Sequence, residues 1–140
     1  MQYTKEDLRY IYDRTSGCCH LCQKKRALKN YAKSGAKGAW EVEHSQAQAL
    51  GGSQRLNNLY AACIPCNRGK GVRSTRSVRA GNGYRKAPLS KAARGSAKGW
   101  NAVGGAVLCA IPGALLGPWG IAIGAALGAK LGYDSNPDHD

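Results

Sequence analysis

Residues 40–71 read W-E-V-E-H-S-Q-A-Q-A-L-G-G-S-Q-R-L-N-N-L-Y-A-A-C-I-P-C-N-R-G-K-G. Trp40 and Val42 alternate with Glu41 and Glu43, which predicts a strand over Ala39–His44. Gly51-Gly52-Ser53 breaks the chain, and Leu59–Ala62 suits a short second strand. A helix is expected to start near Pro65, because proline is well tolerated in a first helical turn. Strand, loop, strand and helix thus fall within about thirty residues. A Cys-x-x-C pair, Cys63 and Cys66, sits where the second strand gives way to the helix.

Upstream, Thr4 and Asp7 have the spacing of a capping box, Tyr3 and Leu8 that of a hydrophobic staple. Leu8, Ile11 and Tyr12 share one helical face, and Ser16-Gly17 ends that helix before a second pair, Cys19 and Cys22. The opening residues M-Q-Y-T-K-E-D-L-R-Y carry no apolar signal core, so two Cys-x-x-C pairs fit a metal better than disulfides. Four thiolates make a closed tetrahedral zinc site, structural rather than catalytic. His20 lies between the first two cysteines and reads as a non-ligand. The first 75 residues hold few large apolar side chains, and a domain of that size is marginal without such a staple.

Charge divides the chain. Residues 1–69 hold 11 Lys/Arg and 5 Asp/Glu, residues 70–99 hold 9 Lys/Arg and no acid, and residues 100–140 hold one Lys and three Asp. Such a balance points to a polyanionic partner, nucleic acid or an acidic membrane surface. Residues 76–99, rich in Gly, Ser, Ala and Lys/Arg, read as a flexible basic linker. Trp100–Ala129 has no charged side chain, and glycines 113, 117, 120, 124, 128 and 132 recur every three or four residues. That row predicts a helical, glycine-zipper segment over 100–133, associated with a membrane or pairing copies of the chain. Trp100 and Tyr133 would be interfacial aromatics, with an acidic tail at 134–140. The basic run places the N-terminal domain on the cytoplasmic face of a membrane. The alternative is a soluble cytoplasmic chain whose tail is a helical hairpin around Pro112–Pro118.

From I-Y-D-R-T-S-G-C-C-H-L-C through E-V-E-H, L-N-N-L and C-I-P-C-N-R-G-K, residues 8–71 resemble the HNH endonuclease family. The resemblance implies an α+β fold, a small zinc-stapled ββα-metal domain over residues 1–75. It also implies a metal-dependent endonuclease that hydrolyses phosphodiester bonds in DNA, with RNA as the other substrate class, and leaves 5′-phosphate and 3′-hydroxyl ends. His44 would be the general base. Glu43 and Asn67 would bind a catalytic Mg²⁺ or another divalent cation, which prefers oxygen ligands. Asn58 matches the family's middle asparagine and would hold the loop between the strands. Cys19, Cys22, Cys63 and Cys66 would bind structural zinc. Arg68, Lys70, Arg73 and Arg76, directly after the site, are expected to contact phosphates. Glu43 departs from the commoner aspartate, either changing metal preference or weakening the enzyme. Two other readings remain open: a zinc-stapled nucleic-acid-binding module without catalysis, and a delivered nuclease toxin with a translocating tail.

Overall fold

The computed structural model describes residues 3–113 and 117–134 and divides into two units, residues 1–91 and 92–140. In the first unit a helix, α1 (Lys5–Asp13), precedes two antiparallel strands, β1 (Trp40–His44) and β2 (Leu59–Cys63). Two short helices follow, α2 (Ile64–Lys70) and α3 (Thr75–Gly81).

The expected capping box forms at the start of α1. Thr4 Oγ1 accepts from the Asp7 amide, and the Asp7 carboxylate accepts from the Thr4 amide. After α1 the chain turns through Ser16 and Gly17, both with positive φ. A β-carbon at Gly17 would collide with the Tyr12 ring, so glycine is required there on two counts.

The strand register pairs Trp40 with Cys63, Val42 with Ala61 and Glu43 with Tyr60. Directly paired residues share a face, so the ribbon has two unlike sides. Trp40, Leu59 and Ala61 pack with Ile11 of α1, supported by Leu8, Tyr12, Tyr31 and Val42. Trp40 is wholly buried, and its indole N–H donates to the carbonyls of Ala27 and Leu28. On the other side Glu41, Glu43 and Tyr60 meet α2 and the first cysteine knuckle. A second cluster of Cys19, Leu21, Ala62 and Cys63 lies around the cysteines.

The basic segment after residue 75 is not all linker. Ser74 caps α3 by accepting from the Ser77 amide, and Asn82 and Arg79 donate to the carbonyls of Leu21 and His20. These bonds dock α3 on the first knuckle, a gain that composition does not register.

The second unit consists of α4 (Lys91–Gly113) and α5 (Gly117–Asp134), α4 beginning at the last residue of the first unit. Gly105 lies so close to the Gly128 carbonyl, and Gly132 to that of Asn101, that neither could carry a β-carbon. Gly128 and Gly132 of the expected zipper therefore lie against α4 of the same chain, as in the hairpin alternative. No helix among the described residues is long and apolar enough to cross a membrane. The physical reason lies in the composition: Lys91, Arg94 and Lys98 occupy one end of α4, Lys130 and Asp134 one end of α5, and glycine contributes little hydropathy between them. The acidic tail from 135 onward, like residues 114–116, lies outside the described residues.

Candidate nuclease site and metal centre

The two Cys-x-x-C pairs converge. The Sγ atoms of Cys19, Cys22, Cys63 and Cys66 all lie within 4.8 Å of one another, and none of these cysteines is in a disulfide. Cys22 Sγ and Cys63 Sγ are 3.8 Å apart. A tetrahedral ion with metal–sulfur bonds of about 2.3 Å separates its ligands by about 3.8 Å, so the cluster has the size such an ion needs. The amides of Leu21 and Cys22 point at Cys19 Sγ, 3.4 and 3.5 Å away, as donors that stabilise a thiolate. Burial pushes the Cys66 thiol up to about 11, whereas hydrogen bonds from Cys19 and Cys63 hold the Cys22 thiol well below its usual range; a bound cation would displace the protons that remain. The four cysteines are positioned to bind a metal ion.

Beside that centre, a cleft of about 320 Å³ is lined by Glu43, His44, Asn67, Lys70 and Gly71, among others. β1 ends at His44, and the Ser45 amide bonds to the Asn58 carbonyl. Adjacent strand residues would ordinarily face opposite sides; ending the strand here lets Glu43 and His44 line one cleft. His44 Nε2 lies 3.0 Å from Gln54 Oε1. Tyr3 Oη donates to the same Gln54 oxygen at 3.5 Å, which identifies it as an acceptor. In the tautomer in which Nε2 donates to that oxygen, Nδ1 keeps the lone pair. Sequence reasoning missed Gln54; its only signal was a polar residue directly after the Gly-Gly-Ser break.

Asn58 holds the loop between the strands at three points. Its Oδ1 accepts from the Gln46 amide at 2.8 Å, and its Nδ2 donates to the carbonyls of Gln46 and Ser53 at 3.1 and 2.9 Å. Asn67 Nδ2 donates to Glu41 Oε2 at 3.0 Å. Its Oδ1 has no hydrogen-bond partner among the described residues, which suits a ligand oxygen.

Glu43 is only 2% exposed. Its Oε1 lies 2.8 Å from Lys70 Nζ, and its Oε2 is hydrogen-bonded to His20 Nε2. Burial alone would raise the Glu43 carboxyl, but His20 and Lys70 outweigh it and hold the group below the usual carboxylate range. Burial lowers the His20 imidazole from its ordinary value despite the facing carboxylate. The donor set of Glu43 and Asn67 oxygens on one cleft fits a hard cation, on condition that Lys70 shares or cedes Oε1.

The four basic residues separate. Lys70 is as buried as Glu43, donating also to the His44 carbonyl at 3.0 Å, so it is unsuited to gripping phosphate from solvent. Its position at the end of α2 aims it inward at the charge on β1. Arg68 is exposed and paired with Glu41 at 3.0 Å. Arg73 donates to the carbonyls of Lys70 and Gly69, and Arg76 is exposed on α3.

Compared with known families, residues 19–73 match the model described as HNH endonuclease. Neither the curated proteins nor the solved structures include a match to the chain.

Proposed function

With an HNH endonuclease domain at residues 19–73 as its premise, we propose that this protein is a metal-dependent endonuclease hydrolysing phosphodiester bonds in DNA. One observation carries the reading: Glu43, His44 and Asn67 line a single cleft, with Gln54 hydrogen-bonded to the His44 ring. In-line hydrolysis needs a base for the attacking water, and His44 Nδ1 supplies one. Asn58 keeps the loop that follows His44 in place, so the ring does not have to be ordered when substrate arrives. Glu43 Oε1 and Asn67 Oδ1 would hold Mg²⁺ or a similar divalent cation. Such an ion, when bound, neutralises charge developing on the phosphate and the leaving oxygen. Zinc is the proposed occupant of the four cysteines, as the ion that thiolate tetrahedra favour. Arg73 and Arg76, both exposed, are the proposed contacts to phosphates flanking the cut.

The test is plasmid cleavage by the full chain with Mg²⁺ or Mn²⁺. His44→Ala should reduce cutting by about a hundredfold or more, the range attributed to general bases. Cleavage by His44→Ala at the parent's rate refutes the assignment. Salt-sensitive DNA binding without cutting under any divalent ion would mark a binding module instead.

A further inference from the structure

His20 is a wholly buried histidine that the reaction just described does not use. Its backbone is fixed on both sides. The amide donates to the Ala61 carbonyl at 2.9 Å, and the carbonyl accepts from Arg79 Nε at 2.9 Å. The knuckle cysteines bracket it, so any ion bound there also sets its position. Its ring stacks on Tyr60, with centroids 4.6 Å apart and planes within 3°. Arg14 covers that tyrosine at 3.9 Å and donates to its hydroxyl at 2.7 Å. The imidazole is wholly buried in this stack, and its Nε2 ends on Glu43 Oε2.

Packing alone does not account for an imidazole here. His20 Nδ1 is buried with no hydrogen-bond partner. Burying a polar atom unsatisfied is costly, and a phenyl ring would fill the same stack without that penalty. What the imidazole adds is the bond to Glu43. A glutamate has one more rotatable bond than an aspartate, and so more orientations to restrict before its carboxylate can serve as a ligand. Lys70 pairs ionically with one oxygen, outside hydrogen-bond geometry, and His20 is hydrogen-bonded to the other.

We propose that His20 is a positioning residue, which orients the Glu43 carboxylate for the catalytic cation and couples the cysteine centre to the catalytic cleft. The proposal rests on the reading of Glu43 as a ligand to that cation. It turns the departure from aspartate into a compensated feature, since the longer side chain is fastened at its second oxygen.

The experiment uses the full chain with its zinc, in parent, His20→Phe, His20→Gln, Glu43→Gln and His20→Phe/Glu43→Gln forms. Zinc content is measured on each. Mn²⁺ affinity is read from the spin-resonance signal of free Mn²⁺, and plasmid cleavage is followed against Mn²⁺ concentration. His20→Phe should keep one zinc per chain, bind Mn²⁺ about tenfold more weakly or worse, and need correspondingly more Mn²⁺ to cut. His20→Gln, which retains a donor, should recover part of the loss. In the Glu43→Gln background, His20→Phe should weaken Mn²⁺ binding no further. Parent-like Mn²⁺ affinity in His20→Phe overturns the proposal, as does a His20→Phe effect that persists undiminished without Glu43. Loss of zinc from both His20 variants also overturns it, by confining His20 to the knuckle. If Glu43→Gln alone binds Mn²⁺ and cuts as the parent does, the ligand reading of Glu43 fails first, and the role of His20 with it.

Discussion

Lys70 Nζ lies 2.8 Å from Glu43 Oε1, and each side chain is 2% exposed. A buried pair of this kind carries a large desolvation cost, offset only while both charges are present. Lys70→Met should therefore destabilise the first unit by about 3–5 kcal/mol, read from urea unfolding, by stranding the Glu43 charge. Lys70→Met/Glu43→Leu should regain most of that stability while losing divalent-dependent cleavage. An additive or worse double variant would mean that the pair is not the energetic unit.

The cysteine centre should be the larger staple. Structural zinc contributes about 10–16 kcal/mol in small peptides, more than a unit with two small buried clusters can replace. Removing the ion with a strong chelator, or replacing Cys66 by serine, should abolish cooperative unfolding of residues 1–91 and lose the signal of buried Trp40. α4 and α5 should keep their helical circular dichroism after chelation if they fold as a separate unit. Unchanged Trp40 fluorescence would show that the clusters of Ile11 and Leu21 stand alone.

Gln54 is expected to act only through His44. Gln54→Leu removes the acceptor that fixes the protonated nitrogen of the ring, leaving the Asn58 bonds intact. Cleavage should fall by about tenfold to a hundredfold, the range seen for partners that orient a reactive side chain, with Mn²⁺ affinity unchanged. Gln54→Glu, which keeps the acceptor, should retain more activity than Gln54→Leu. Equal rates for the two variants would dismiss Gln54 as an orienter.

Asn58→Ala offers a complementary test of the loop. Three hydrogen bonds disappear at once, and the destabilisation should reach about 1–3 kcal/mol. Asn58→Asp retains the acceptor for Gln46 but loses both donations to the carbonyls of Gln46 and Ser53, so it should behave more like alanine than like asparagine. Amide exchange over residues 46–53 should quicken in both variants.

Much of this arrangement was written locally. Alternation at Trp40–Glu43 gave the strand, Thr4 with Asp7 gave the start of α1, and paired cysteines gave the four-thiol cluster positioned for a metal. These signals depend on neighbours within four residues or on simple thiol chemistry. The inward aim of Lys70 was not legible, because it depends on the rotation of α2 against β1, set by tertiary packing. His20 had one faint signal, a histidine enclosed between two ligands and hence close to a buried centre. α3 was hidden by a basic, weakly apolar sequence; Ser74 and Asn82 were the marks of its ends. The tail was less legible, since a row of glycines serves equally for a membrane pair and for a hairpin within one chain.

Acid should loosen this network in two steps, and the sign follows from the directions of the shifts. His20 is held below its ordinary 6.5 by burial, so the unfolded chain binds that proton more readily than the folded one. Stability should begin to fall as pH drops through about 6.5. Glu43 is held below its ordinary 4.5 by His20 and Lys70, which outweigh the effect of burial. Its contribution is complete above that value and is lost as pH falls below it. Urea unfolding at a series of pH values, with metal content followed on the same samples, should show the first step in the parent and not in His20→Phe. Glu43→Gln should remove the second. Loss of metal from the cysteines would lower stability in all three proteins alike, so the difference between parent and variant isolates each group. A parent and a His20→Phe variant with identical pH profiles would mean that the fold does not lower the His20 imidazole.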